Sequence, residues 1–170
     1  MVRKNLGKSR SGPNGSGIFS WLICESNDDK GNVIVYGYKA ENSENVKLSQ
    51  VHEKNRTAQS RAVNRYLKRI RYGNRTPYFP VLAATSPPTL LPDERLFELV
   101  LDYGEHDANT TTPAEVATWP IRRDPFSSNR AGYEVRTYRL CQRVLMFHHF
   151  PYEPDVGANC MVRSTDFTYS

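Results

Sequence analysis

Four histidines, three cysteines and eighteen carboxylates are the groups from which this chain could build a reactive site, and their spacing argues against most of the chemistry they suggest. His148 and His149 make the most obvious metal pair. On a strand, however, neighbouring side chains point to opposite faces and cannot chelate one ion, so structural roles are expected for both. His106 stands between Glu105 and Asp107 and offers three ligand types in a row. It follows a predicted strand end and has no second histidine at ligand spacing, so it reads as part of a solvated loop. Cys141 lies seven and eight residues from the two adjacent histidines, outside any recognised local signature of a cysteine nucleophile, although a triad can assemble from distant positions. Cys24, Cys141 and Cys160 are widely spaced and lack a CxxC pair, which indicates neither a zinc site nor a disulfide framework but buried free thiols. No GxGxxG or Walker loop supplies a backbone cradle for phosphates. Asn55-Arg56-Thr57, Asn74-Arg75-Thr76 and Asn109-Thr110-Thr111 fit the glycosylation pattern, which arises often by chance. Around DPFSSNRAGYEVR, Asp124, Arg130 and Arg136 read as a corner clipped by an ion pair, or else as a docking surface. No catalytic, cofactor-binding or metal-binding residue is assigned from these patterns.

What must position these groups is a chain of 170 residues, long enough to bury about 68–70% of its unfolded surface as one domain. Hydrophobic residues make up 38%, with ten Tyr and seven Phe carrying much of the apolar surface, and half-buried aromatics suit sheets. The net charge of +5 is unevenly spread. From Lys54 to Arg75 eight residues are basic and none acidic, while Asp93, Glu94, Glu98, Asp102, Glu105 and Asp107 form a later acidic stretch, so the two stretches are expected to pair across strands. The competing reading is a nucleic-acid surface over residues 54–75, with Tyr66 and Tyr72 as stacking platforms.

Along the chain, residues 1–17 are basic and rich in Gly and Ser, which predicts a flexible lead-in, or a segment ordered only by its neighbours. IFSWLICES, NDDKGN and VIVYGYK form a hairpin signature from Ile18 onward. Residues 41–60 are polar and predict a long excursion with contacts outside the chain. RAVNRYLKRIRYGN fits helix and strand alike, and its Tyr-Gly-Asn ending favours the strand. RLFELVLDYG alternates cleanly, with Phe97, Leu99, Leu101 and Tyr103 on one face. Four prolines in FPVLAATSPPTLLPDE dictate a loop. GYEVRTYRLCQRVLMFHHF suggests one long bent strand, or a segment containing a helix. MVRSTDFTYS alternates again, and because the sequence ends inside that pattern a fragment of a larger protein is expected. The dipeptides Tyr36-Gly37, Tyr72-Gly73 and Tyr103-Gly104 suggest a loose repeat in which tyrosine packs on a sheet face and glycine turns the chain away. No apolar run is long enough to span a bilayer, and the N-terminus lacks the apolar core of a classical signal peptide.

Five phrases in order, IFSWLICESNDDKGNVIVYGYKAE, NRYLKRIRYGNRTPY, LFELVLDYGEHD, DPFSSNRAGYEVRTYRLCQRVLMFHHF and CMVRSTDFTY, resemble the SpvB family. That family is the region shared by the Salmonella virulence plasmid B protein and the B component of insecticidal toxin complexes, and the resemblance covers nearly all of residues 18–170. It implies an all-β, antiparallel sheet segment related to the Rhs/YD-repeat shell, with long loops. It further implies a non-catalytic structural module of a secreted toxin, which helps a shell encapsulate and deliver an effector. The implied partners are the remainder of the B-like chain, the C component with its Rhs shell, and the A component; neither nucleic acid nor membrane insertion is implied. The protein would be cytoplasmic before release and secreted without a classical signal peptide. No catalytic residue carries over from the resemblance, and the Glu-x-Glu motif expected of an ADP-ribosyltransferase occurs nowhere in the chain.

Overall fold

The computed structural model describes residues 2–11, 18–80 and 94–169. Among the described residues, nine strands form two antiparallel sheets. The larger has the order β1-β2-β3-β4-β5-β8-β9, and the smaller pairs β6 with β7. In the large sheet lie β1 (Val2–Ser11), β2 (Ile18–Asn27), β3 (Val33–Ala40), β4 (Arg65–Asn74), β5 (Arg95–Asp102), β8 (Arg143–Phe150) and β9 (Gly157–Asp166). The small hairpin joins β6 (Phe126–Ser128) to β7 (Val135–Thr137). Sequence neighbours are thus mostly sheet neighbours, the simplest way to satisfy backbone groups with short connections. No helix among the described residues is long and apolar enough to cross a membrane.

The predicted hairpin forms around Asp28, whose carboxylate accepts N–H bonds from Lys30 (3.0 Å) and Asn32 (2.8 Å). Gly31 completes that turn at φ +82°, and a Cβ there would meet Pro77 at 2.8 Å, so both conformation and space require glycine. Asn74 fastens the turn from β4: its amide donates to the Gly31 carbonyl (2.9 Å) and its oxygen accepts from the Val33 N–H (2.9 Å).

Register divides the sheet into two faces. One carries Arg71 opposite Glu98 and Glu98 opposite Phe147, while the other carries Tyr72 opposite Phe97 and Phe97 opposite His148. On the first face Val100, Leu145 and Phe147 are fully buried. In a separate cluster, Tyr66, Tyr103 and Trp119 pack edge to face, with ring centroids 5.4–6.2 Å apart, and Leu101 and Cys141 rest against them. Aromatic clusters of this geometry add about 0.5–1.5 kcal/mol per pair beyond the area they bury.

Several expectations change. Val2–Ser11, within the segment read as a lead-in, pairs with β2 through an irregular register; residues 12–17 lie outside the described residues, as does most of the proline-rich loop. The excursion at residues 41–60 carries a single 3-10 turn (Val51–Glu53) and one helical turn, α1 (Ala58–Arg61), capped by Thr57, whose hydroxyl accepts from the Ser60 N–H (3.1 Å). Within the chain it is tied down by Arg56, which reaches Glu134 (2.7 Å), and by Glu53, which accepts from the Tyr138 hydroxyl (2.7 Å). The segment expected as one bent strand is broken between β7 and β8. Tyr138 gives its N–H to the Tyr66 hydroxyl (3.0 Å) and its carbonyl to Arg122 (2.9 Å), and Gln142 gives its N–H to Asp102 (2.7 Å). Ladder groups committed to loops cannot pair with a neighbouring strand. The Tyr-Gly repeat holds at two of its three sites. Gly73 and Gly104 turn strand ends at φ +72° and +103°, whereas Gly37 lies inside β3, next to a register shift.

Candidate functional site

A bulge brings the ionic groups together. Gly37 and Tyr38, adjacent on β3, pair with Arg69 and Leu67 on β4, leaving Lys68 as an extra residue whose side chain is re-aimed. Its ammonium, nearly inaccessible to solvent, donates to the Leu101 carbonyl (3.0 Å) and to Glu105 Oε1 (2.5 Å), and lies 2.8 Å from His106 Nε2. An ammonium can only donate, so His106 Nε2 accepts and the ring proton sits on Nδ1, donating to the Thr112 carbonyl at 3.1 Å.

The turn after β5 builds the acidic side. Asp102 Oδ1 accepts the N–H groups of Gly104 (2.7 Å) and Glu105 (3.1 Å), and Oδ2 accepts the Arg143 fork at 2.7 and 2.5 Å. Gly104 is needed here because a Cβ would stand 2.7 Å from Pro120 and the backbone is left-handed. Glu105 then turns inward, its Oε2 accepting the Tyr103 N–H (2.8 Å). Glu115 closes the group through Lys39 (2.6 Å), whose ammonium lies over the Trp119 ring at 4.3 Å.

Burial sets the electrostatics. Desolvation pushes the His106 imidazole below its ordinary value of 6.5, and the adjacent Lys68 charge pushes it further. Lys68 is also held below its usual range, because desolvation outweighs the attraction of Glu105. Desolvation raises Asp102, but the Gly104 N–H and the Arg143 guanidinium outweigh it and leave the carboxyl below the usual range. The neighbouring hydroxyl and thiol move away from nucleophilicity: burial raises Tyr66 to about 12 and Cys141 to about 11.

Glu105, His106 and Glu115 offer three donor atoms within 4.8 Å of one another. Lys68 already supplies the cation for that set, at hydrogen-bond distance from two of the three residues, so the donors fit an internal ammonium rather than a metal ion.

The two adjacent histidines diverge. His148 packs against Phe97 (5.0 Å) and Phe150 (5.8 Å), whereas His149 faces Glu98 (3.3 Å) and the Ala158 carbonyl. His106 corrects the sequence reading, being buried in the ionic centre and not solvated. Of the three thiols only Cys24 is buried; Cys141 and Cys160 are half-buried, and none of the three forms a disulfide among the described residues. The expected ion pair near Asp124 re-partners: Asp124 accepts the Arg122 fork (3.0 Å twice), while Arg136 reaches Ser127 (3.0 Å) and Glu53 (3.4 Å), and Arg130 is exposed. The pairing of the basic and acidic stretches does occur, as Lys68–Glu105, Arg69–Glu98 (2.8 Å) and Arg75–Glu94 (3.4 Å).

Sequence reasoning missed a second buried centre. Arg139 forks onto Glu41 (2.9 and 2.5 Å) and donates to the Trp119 carbonyl (2.7 Å), above the Trp119 ring. A lone tryptophan before proline, in an otherwise polar stretch, is the one local signal that marked it.

Residues 8–150 match the family model described as Salmonella virulence plasmid 65kDa B protein. The chain belongs to the SpvB family. Over 136 residues it is 41% identical to Mono(ADP-ribosyl)transferase SpvB of Salmonella typhimurium strain 14028s and of Salmonella dublin, covering 78% of this chain but 22% of those relatives. Among solved structures it is similar to the N-terminal domain of the effector protein SpvB from Salmonella typhimurium LT2, with a TM-score of 0.82 and 36% identity, over 99% of this chain and 52% of that one. It is similar too to a chain of the TcdB2-TccC3-Cdc42 crystal structure, with a TM-score of 0.78 and 29% identity, and to one of the Photorhabdus luminescens Tc holotoxin pore, at 0.73 and 30%. It spans 99% of itself but 8% of each of those chains. The SpvB and toxin-complex relationship read from the five phrases therefore holds, as does the antiparallel all-β class, and the chain is a toxin-associated module.

Proposed function

We propose that this chain is a non-catalytic structural module of a toxin-complex B-like protein, one section of a shell that encloses and delivers an effector. The observation that carries this reading is the match of 99% of the chain to 8% of a Tc-complex chain, a small part of a much larger body. The chemistry agrees: the most buried titratable groups are spent on one another, and the nearby thiol and phenol are pushed away from reactivity. The transferase activity printed for the SpvB relatives belongs to proteins of which this chain matches about a fifth. Its partners in this reading are the remainder of the B-like chain, a C component with its Rhs shell and an A component, and the assembly is secreted after a cytoplasmic stage, by a route other than a classical signal peptide.

Nucleic-acid binding through residues 54–75 loses its anchors. Tyr66 is buried, Tyr72 stacks on Phe97 (5.2 Å), and Lys68 is buried in the ionic centre. The deciding experiment replaces residues 18–170 with a flexible linker in the full-length protein, co-expressed with its C component. The expected result is an effector that becomes protease-sensitive while keeping its specific activity. An assembly that still protects its effector would overturn the proposal.

A further inference from the structure

Across β4, β5 and β8, on the face carrying Arg71 and Glu98, lies a groove of about 330 Å³ outside the ionic centre. Four arginines, Arg69, Arg71, Arg75 and Arg95, line it against two glutamates, Glu94 and Glu98. These arginines are not equally committed. Arg69 is spent on Glu98 (2.8 Å) and the Pro113 carbonyl (2.5 Å), and Arg95 donates to the Glu94 carbonyl (3.1 Å). His149 lies 3.3 Å from the second Glu98 oxygen, so that carboxylate is already shared. Arg71 is left with a 3.9 Å approach to Glu98 and a half-exposed side chain. Arg75 keeps a 3.4 Å contact to Glu94, a carboxylate 68% exposed and so weakly held. Tyr152 forms an exposed lip, its ring 6.0 Å from the Arg75 guanidinium.

We propose that this groove is a docking site for an acidic peptide segment, whose side-chain carboxylates are taken by the forks of Arg71 and Arg75 while its backbone lies along Tyr152. A planar guanidinium matches a carboxylate in two parallel hydrogen bonds, and two forks in one groove suit side chains of an extended chain. Fixed carboxylates within the groove disfavour the unbroken charge of a phosphodiester backbone, and the groove offers one exposed tyrosine, Tyr152, where successive bases need several stacking platforms. This site gives the module a binding role that does not depend on its place in a shell.

The test is fluorescence anisotropy on the full chain with three labelled probes: a peptide of alternating glutamate and glycine, its glutamine counterpart, and a single-stranded oligonucleotide of equal charge. The glutamate peptide should bind, weaken with added salt and lose about tenfold in affinity in Arg71→Gln/Arg75→Gln, as loss of charge-assisted bonds implies. Arg130→Gln, at an exposed arginine elsewhere, should leave binding unchanged. If the double variant loses its β-type circular dichroism, Arg71→Gln alone serves, since that side chain makes the longest of these contacts. No binding of the glutamate peptide, equal binding of the glutamine peptide, tighter binding of the oligonucleotide, or undiminished affinity in a folded variant would each overturn the proposal.

Discussion

Lys68 and Arg139 are both buried cations paired with a buried glutamate, yet they are held in different ways. Arg139 reaches two oxygens of Glu41 and the carbonyls of Glu44, Trp119 and Pro120, in a pocket where both ionic side chains are fully buried. A guanidinium does not titrate in proteins, so the cation of this clasp between the loop after β3 and the segment before β8 keeps its charge at every working pH. Lys68 has three donors and three acceptors, and one acceptor is an imidazole. Its site holds only while His106 keeps that nitrogen free of a proton. One centre is a fixed staple, and the other is conditional on pH.

The sharpest way to break this comparison is Arg139→Ala. Removing one partner of a buried pair leaves an uncompensated charge, and a loss of about 3–5 kcal/mol in chemical denaturation is expected. Arg139→Lys should recover less than half of it, because an ammonium cannot fork onto Glu41 and also reach three carbonyls. Lys68→Met should cost less, about 1–3 kcal/mol, since the Glu105 carboxylate keeps the Lys39 ammonium at 3.7 Å and still accepts the Tyr103 N–H. By NMR titration the same variant should raise the His106 pKa, because the Lys68 charge is one of its two leading depressing causes. If Lys68→Met proves as costly as Arg139→Ala, the distinction between the centres fails.

The difference between the centres also explains what the sequence disclosed. Alternation in RLFELVLDYG and the turn chemistry of NDDKGN are local signals, and β5 and the β2–β3 hairpin follow them. The basic and acidic stretches announced their pairing because β4 and β5 are neighbours in chain order as well as in the sheet. Glu41 and Arg139 stand 98 residues apart, and nothing local to either names the other. His106 looked solvated because its flanking residues are acidic, whereas burial came from a bulge on another strand that aims Lys68 at it. The break at Tyr138 was hidden for the same reason: its β-prone residues say nothing about the tyrosine hydroxyl that claims its N–H.

A smaller effect isolates the conditional centre. His106 has its folded pKa below 6.5, so the unfolded chain binds the extra proton first as pH falls. Stability from this group is complete above that value and is lost as pH drops from 6.5 toward the depressed folded value. His106→Gln, which keeps a side chain able to accept from Lys68, should flatten the unfolding free energy over that window. It should leave the steeper loss at lower pH, where Asp102 and Glu115, both held below the usual carboxylate range, take up protons. Unfolding curves measured at closely spaced pH values distinguish the two limbs. A slope unchanged by His106→Gln would show that the imidazole is not the conditional element.

The smallest effect comes from a pair that looks as good on paper as either buried centre. Arg122 forks onto Asp124 with both distances at 3.0 Å, the same bidentate arrangement that Arg139 makes with Glu41. Asp124 is largely exposed, however, and water competes for both groups whether or not they meet. Asp124→Ala should therefore leave the denaturation midpoint unchanged within error at moderate salt. A clear destabilisation there would mean that fork geometry rather than burial sets the value of these ion pairs. The contrast between Arg139 and Lys68 would then have to be rebuilt on geometry alone.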